Sequence, residues 1–105
     1  MVLEERTYTI KPGQIPTLLA IYEREGLSAQ RRHLGEPVGW FTSEFGLLNQ
    51  VVHMWRFESL DDRCAKRRAA LSGDPEWQAF VPKALELIEK QENRILLPTK
   101  FSPMR

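Results

Sequence analysis

Asn49, His53 and Trp55 are the residues best placed to do chemistry. They alternate along one stretch, so a strand over Leu48 to Phe57 sends them to one side, together with Val51 and Phe57. An imidazole, an indole and an amide on one face suit a planar organic molecule, which aromatic walls enclose and a few polar groups orient. A histidine titrates near neutrality, so His53 is also a candidate general base. A second set, Glu4, Arg6 and Tyr8, shares one side of an earlier strand that should lie beside this one. Arg6 and Tyr8 together suit an anionic or phenolic group. Trp40, on the short strand between them, is counted with the same candidate pocket. Each set has a plainer reading. His53 bonds a neighbour and Trp55 packs, since buried polar groups are normally satisfied. Arg6 pairs with a carboxylate.

Other chemistries find little support. Cys64 falls on the apolar side of its helix, as a small core residue rather than a nucleophile. His33 and His53 lie on separate elements with no nearby Cys or carboxylate pattern, so no metal site is expected. Gly35 and Gly39 flank Glu-Pro-Val and form no phosphate-cradling strand-to-helix turn. Asp61-Asp62-Arg63 and Lys66-Arg67-Arg68 read as a solvated helix face with an Asp62–Lys66 pair. Nothing calls for a cofactor.

The elements that must position these residues follow from local signals. Leu3 to Lys11 is rich in residues that favour extended backbone and stops at Pro12-Gly13. Ile15, Leu18, Leu19 and Tyr22 recur at helical spacing after Pro16, which suits a first helical turn. Gly26 weakens that helix and predicts a kink or a close contact. Gly35 and Pro37 end it. Val38 to Thr42 and Leu48 to Phe57 flank a turn with Gly46 and predict a hairpin. Ser59 caps a helix whose apolar side is Leu60, Cys64 and Leu71. Asp74-Pro75 starts another, with Trp77, Phe80, Val81, Ala84, Leu85 and Ile88 at helical spacing. Ile95 to Leu97, followed by Pro98 to Phe101, reads as a last strand at a sheet edge.

The order β-α-β-β-α-α-β has the skeleton of the split βαβ, or ferredoxin-like, arrangement. It predicts an α+β fold, a four-stranded antiparallel sheet with its helices on one face. The other face is left bare, and a second copy packed sheet to sheet would cover it. The His53 face is assigned to that junction. Burial there should keep His53 neutral at pH 7, with Glu4 opposing.

The 105 residues fit one domain, 1–105, large enough for a single core. With 15 basic and 14 acidic residues the chain lacks the electrostatic footprint of a nucleic-acid or membrane-surface binder. No apolar run reaches the ~20 residues of a membrane span. One cysteine allows no internal disulfide, and Met1 to Arg6 does not read as a signal peptide, so a cytoplasmic location is expected.

Taken together, Glu4 to Gly13, Leu34 to Phe41, Gly46 to Trp55, Ser59 to Arg68 and Asp74-Pro75-Glu76-Trp77 resemble the NIPSNAP family of dimeric α+β-barrel proteins. The resemblance covers nearly the whole chain. It implies a ferredoxin-like protomer whose sheet pairs with another, in a homodimer or a higher oligomer, and no established reaction. Two functions follow as expectations. The first is a dimeric binding or interaction protein, holding a small hydrophobic or aromatic molecule between the sheets. The alternative is a cofactor-independent monooxygenase-like or isomerase-like enzyme acting on an aromatic substrate. The candidate pocket residues for either are Asn49, His53, Trp55, Arg6, Tyr8 and Trp40.

Overall fold

A computed structural model describes residues 1–105. Its elements in chain order are β1 (Val2–Ile10), α1 (Ile15–Ile21), a π-helical turn (Tyr22–Gly26), α2 (Leu27–Leu34), β2 (Gly39–Thr42), β3 (Gln50–Phe57), α3 (Leu60–Gly73), α4 (Pro75–Leu85) and β4 (Ile88–Leu96). The strands form one antiparallel sheet in the order β2-β3-β1-β4. With α1, the π turn and α2 running as one continuous helix, three helices complete an α+β ferredoxin-like fold.

Gly26 explains the π turn. A Cβ there would lie 2.7 Å from Cζ of Phe80, so only glycine lets α4 approach this closely. The Leu27 N–H reaches back to the Tyr22 carbonyl, five residues away, and the helix resumes as α2. The kink predicted at Gly26 is therefore a wide turn wedged against an aromatic ring.

The predicted caps hold. Ser59 Oγ accepts from the Asp62 N–H at 3.0 Å, and Asp62 reaches back to the Glu58 N–H at 3.0 Å. Asp74 Oδ1 accepts from the Glu76 and Trp77 N–H groups at the start of α4. Its other oxygen meets Arg32 and His33, tying α2 to α4.

Four expectations are corrected. The last strand is Ile88–Leu96, not the stretch from Ile95 to Phe101. Its interior, Glu89-Lys90-Gln91-Glu92-Asn93-Arg94, is made of residues that favour helix or turn, and only the ladder to β1 holds it extended. Asn49 lies before β3, not in it. Its φ of 62° is a left-handed conformation that asparagine tolerates, and its carbonyl accepts from the Ile10 N–H. The inner side of α3 is not Leu60, Cys64 and Leu71, all of which are exposed. Ala70 is buried there, with Arg63 and Arg67 half-buried beside it.

The last correction concerns the faces of the sheet. Val51, His53, Trp55 and Phe57 are buried, and they face the protein's own helices rather than a second sheet. Val51 packs with Leu18, Tyr22 and Phe80, while Trp55 and Phe57 pack with Leu34 of α2. On β1 the side facing the helices is Val2, Glu4, Arg6, Tyr8 and Ile10. The face without helices carries Leu3, Glu5, Thr7 and Thr9 of β1 and Gln50, Val52, Met54 and Arg56 of β3. Phe41 extends it on β2 and Leu96 on β4.

Candidate functional site

The register of β1 places Arg6 between His53 of β3 and Asn93 of β4, and Tyr8 between Val51 and Gln91. Where β1 passes under α3 and α4, a cleft of about 190 Å³ opens between sheet and helices. Arg6 and Tyr8 line its floor, Arg67 its α3 side, Trp77 and Phe80 its α4 side, and Tyr22 the end nearest the π turn. It is smaller than the roughly 300–1,000 Å³ of drug-sized sites. At ~30 Å³ per water it holds about six waters, room for a one-ring molecule.

The floor is held by a buried carboxylate. Glu4 is fully buried, and its Oε2 accepts from Arg63 at 2.7 Å, Asn93 at 2.8 Å and Arg6 at 3.1 Å. Burial alone would raise the Glu4 pKa. The bonds from Arg63 and Asn93, with the charges of Arg6 and Arg63, outweigh burial and hold it at about 2. The ionised group therefore fastens β1 to β4 and α3 at neutral pH. Arg6 is held from its other side as well, its Nε donating to the Tyr8 hydroxyl at 2.8 Å.

Arg67 sits one helical turn from Arg63 on the same side of α3, and no carboxylate lies within ion-pair distance of it. Burial, and then the neighbouring Arg6 charge, pull its pKa below the usual arginine value. Arg6, Arg63 and Arg67 thus bring three positive charges to a region where Glu4 supplies one negative charge. The Tyr22 phenol is neutral, because burial raises its pKa far above the usual tyrosine value.

His53 is fully buried behind this floor. Its Nδ1 accepts from the Trp55 indole N–H at 2.7 Å, which fixes its proton on Nε2, a buried atom with no partner. The ring stacks on Trp40, with centroids 4.0 Å apart and planes 8° off parallel, and meets the Tyr8 ring edge-on at 4.9 Å. Burial first, then the charges of Arg6 and Arg67, lower its pKa to about 3. It is neutral across the physiological range.

The six candidate residues from the sequence therefore divide three ways. Arg6 and Tyr8 line the cleft, whereas His53, Trp55 and Trp40 form an aromatic layer next to it. Asn49 lies at the far end of β3, outside the lining. Sequence reading missed Arg63 and Arg67. The spacing gave no usable signal, because Leu60 and Leu71 share the arginines' side of α3 and the run of charges around them reads as solvated. No three His, Cys, Asp or Glu side chains converge as a metal site would require. No helix is long and apolar enough to cross a membrane.

Comparison with known proteins places this geometry in context. The family model described as NIPSNAP matches residues 3–103. A NipSnap homolog of Dictyostelium discoideum is 40% identical over 95% of the chain, which spans only 44% of that protein's length. A solved protein of Agrobacterium tumefaciens is 48% identical, with a TM-score of 0.95 and full coverage of both chains. An uncharacterised NIPSNAP domain protein of Burkholderia xenovorans is 38% identical, with a TM-score of 0.93, and 98% of this chain aligns with 99% of that one. A protein of Nitrosomonas europaea titled a putative antibiotic biosynthesis monooxygenase shares the fold alone, at 8% identity and a TM-score of 0.67 over 93% of this chain and 98% of that one.

Proposed function

The chain belongs to the NIPSNAP family, and from that premise we propose that it is a homodimeric binding protein for a small aromatic molecule. The ligand site in this reading is the cleft over Arg6 and Tyr8, inside each protomer rather than between the sheets. The observation that carries it is the lining itself, in which Trp77, Phe80 and Tyr22 surround a few fixed polar groups. Dimerisation is supported by the sheet face without helices, where Leu3, Val52, Met54, Leu96 and the exposed Phe41 form an apolar strip. A cytoplasmic location suits the exposed, unpaired thiol of Cys64.

Catalysis is supported less well. His53 commits Nδ1 to Trp55 and carries its proton on Nε2, so the neutral ring has no free base to offer a substrate.

Native mass spectrometry of freshly purified protein tests both parts. The expected result is a dimer carrying a small-molecule adduct, released as monomers by Met54→Lys on the open face. A species of 12.2 kDa without adduct at micromolar concentration would contradict the reading.

A further inference from the structure

We infer that the cleft selects an organic acid, binding its carboxylate between Arg67 and the free edge of the Arg6 guanidinium while its ring lies against Trp77 and Phe80. This rests on the cleft being the ligand site. The other arginines that reach inward have fixed partners: Arg63 and Arg6 share Glu4, and Arg6 also holds Tyr8. Arg67 has none, although it is half-buried and lines the same cavity. A charge drawn partly out of water without a counter-charge is disfavoured, so an anion from outside completes the site.

Glu4 does not fill that role. Its Oε2 already takes three donors, its Oε1 is buried without a partner, and neither oxygen bonds Arg67. The groups nearby leave the positive charge uncompensated, because His53 and Tyr22 are both neutral. Arginine's planar fork matches a carboxylate with two parallel bonds. The rest of the lining is mainly apolar, which suits a carboxylate carried on a ring better than a bare inorganic anion.

Isothermal calorimetry and ¹H–¹⁵N NMR of the full chain test this, with benzoate, 3-phenylpropionate, their primary amides and inorganic phosphate as probes. The expected result is at least tenfold tighter binding of an acid than of its amide, with a shift of the Trp77 indole N–H. Arg67→Gln should abolish that preference, and Arg67→Lys should keep part of it. An amide that shifts Trp77 and binds as tightly as its acid would overturn the carboxylate assignment and leave the ligand site standing. Phosphate binding as tightly as the acids would overturn it too. No shift of Trp77 with any probe at millimolar concentration would overturn the ligand site itself.

Discussion

Arg6 and Arg67 line the same cleft, yet only Arg6 has a carboxylate, Glu4, 3.1 Å from its Nη1. One of the two is structural and the other is free, so their substitutions should act in opposite directions. Removing the unpaired charge relieves a desolvation cost. Arg67→Met should stabilise the unliganded protein by about 1 kcal/mol, raising its melting temperature by roughly 4–8 °C. A fall in melting temperature would show that Arg67 has a partner within the fold.

Glu4 should behave in the reverse sense. Its carboxyl pKa is about 2 in the fold against 4.5 when free, so folding favours the ionised form. The stabilisation is complete above pH 4.5 and is lost as the pH falls toward 2, amounting to on the order of 3 kcal/mol. Glu4→Gln should reduce the slope of the acid limb of a stability–pH curve in that window, leaving the shares of Asp74 and His53, whose pKa values are also lowered, and cost about 3–5 kcal/mol at pH 7, by stranding Arg63 and Arg6. Denaturant melts at several pH values check both expectations.

His53 acts in a different window. Its folded pKa of about 3 lies below its free value of 6.5, so folding favours the neutral ring. Its contribution is full above pH 6.5 and declines as the pH falls from 6.5 toward 3, because the unfolded chain takes up the proton first. His53→Gln should remove the slope of stability between pH 6.5 and 4.5 while leaving the Glu4 window intact. Since His53 faces the helices, mild acid should weaken the protomer itself rather than any contact between protomers. An NMR titration placing the His53 pKa near 7 would contradict this.

Gly26 and Phe80 should prove to be coupled. Gly26→Ala pushes a methyl group into the ring and should cost about 1–3 kcal/mol. Phe80→Leu alone leaves a cavity, but the double variant should recover part of the combined loss. A double-mutant cycle with no coupling energy would show that the π turn has another cause.

Much of this fold is legible in the sequence, for physical reasons that also mark where legibility ends. The caps at Ser59 and Asp74, the hairpin around Gly46 and the break at Gly26 depend on local chemistry, and local chemistry is what a sequence displays. β4 depends on its partner strand, so its polar interior gives no sign of extension. The direction in which β3 faces was illegible for a different reason. Val51, Trp55 and Phe57 on one side are matched by Val52 and Met54 on the other, and hydrophobicity alone does not rank them. Arg6 and Tyr8 could be read as a pair from their alternation. Arg67 could not, because an arginine inside a charged run looks solvated until α3 is packed onto the sheet.

The central claim is that each protomer carries its ligand site between its own sheet and helices. A crystal structure of protein purified without added ligand, and not exchanged into carboxylate buffers, tests it most directly. The expected result is planar density beside Trp77 and Phe80 with its polar end toward Arg67, and a second protomer packed on the Met54 face. Density for a bound molecule between the two sheets, with the cleft over Arg6 closed by side chains, would contradict it.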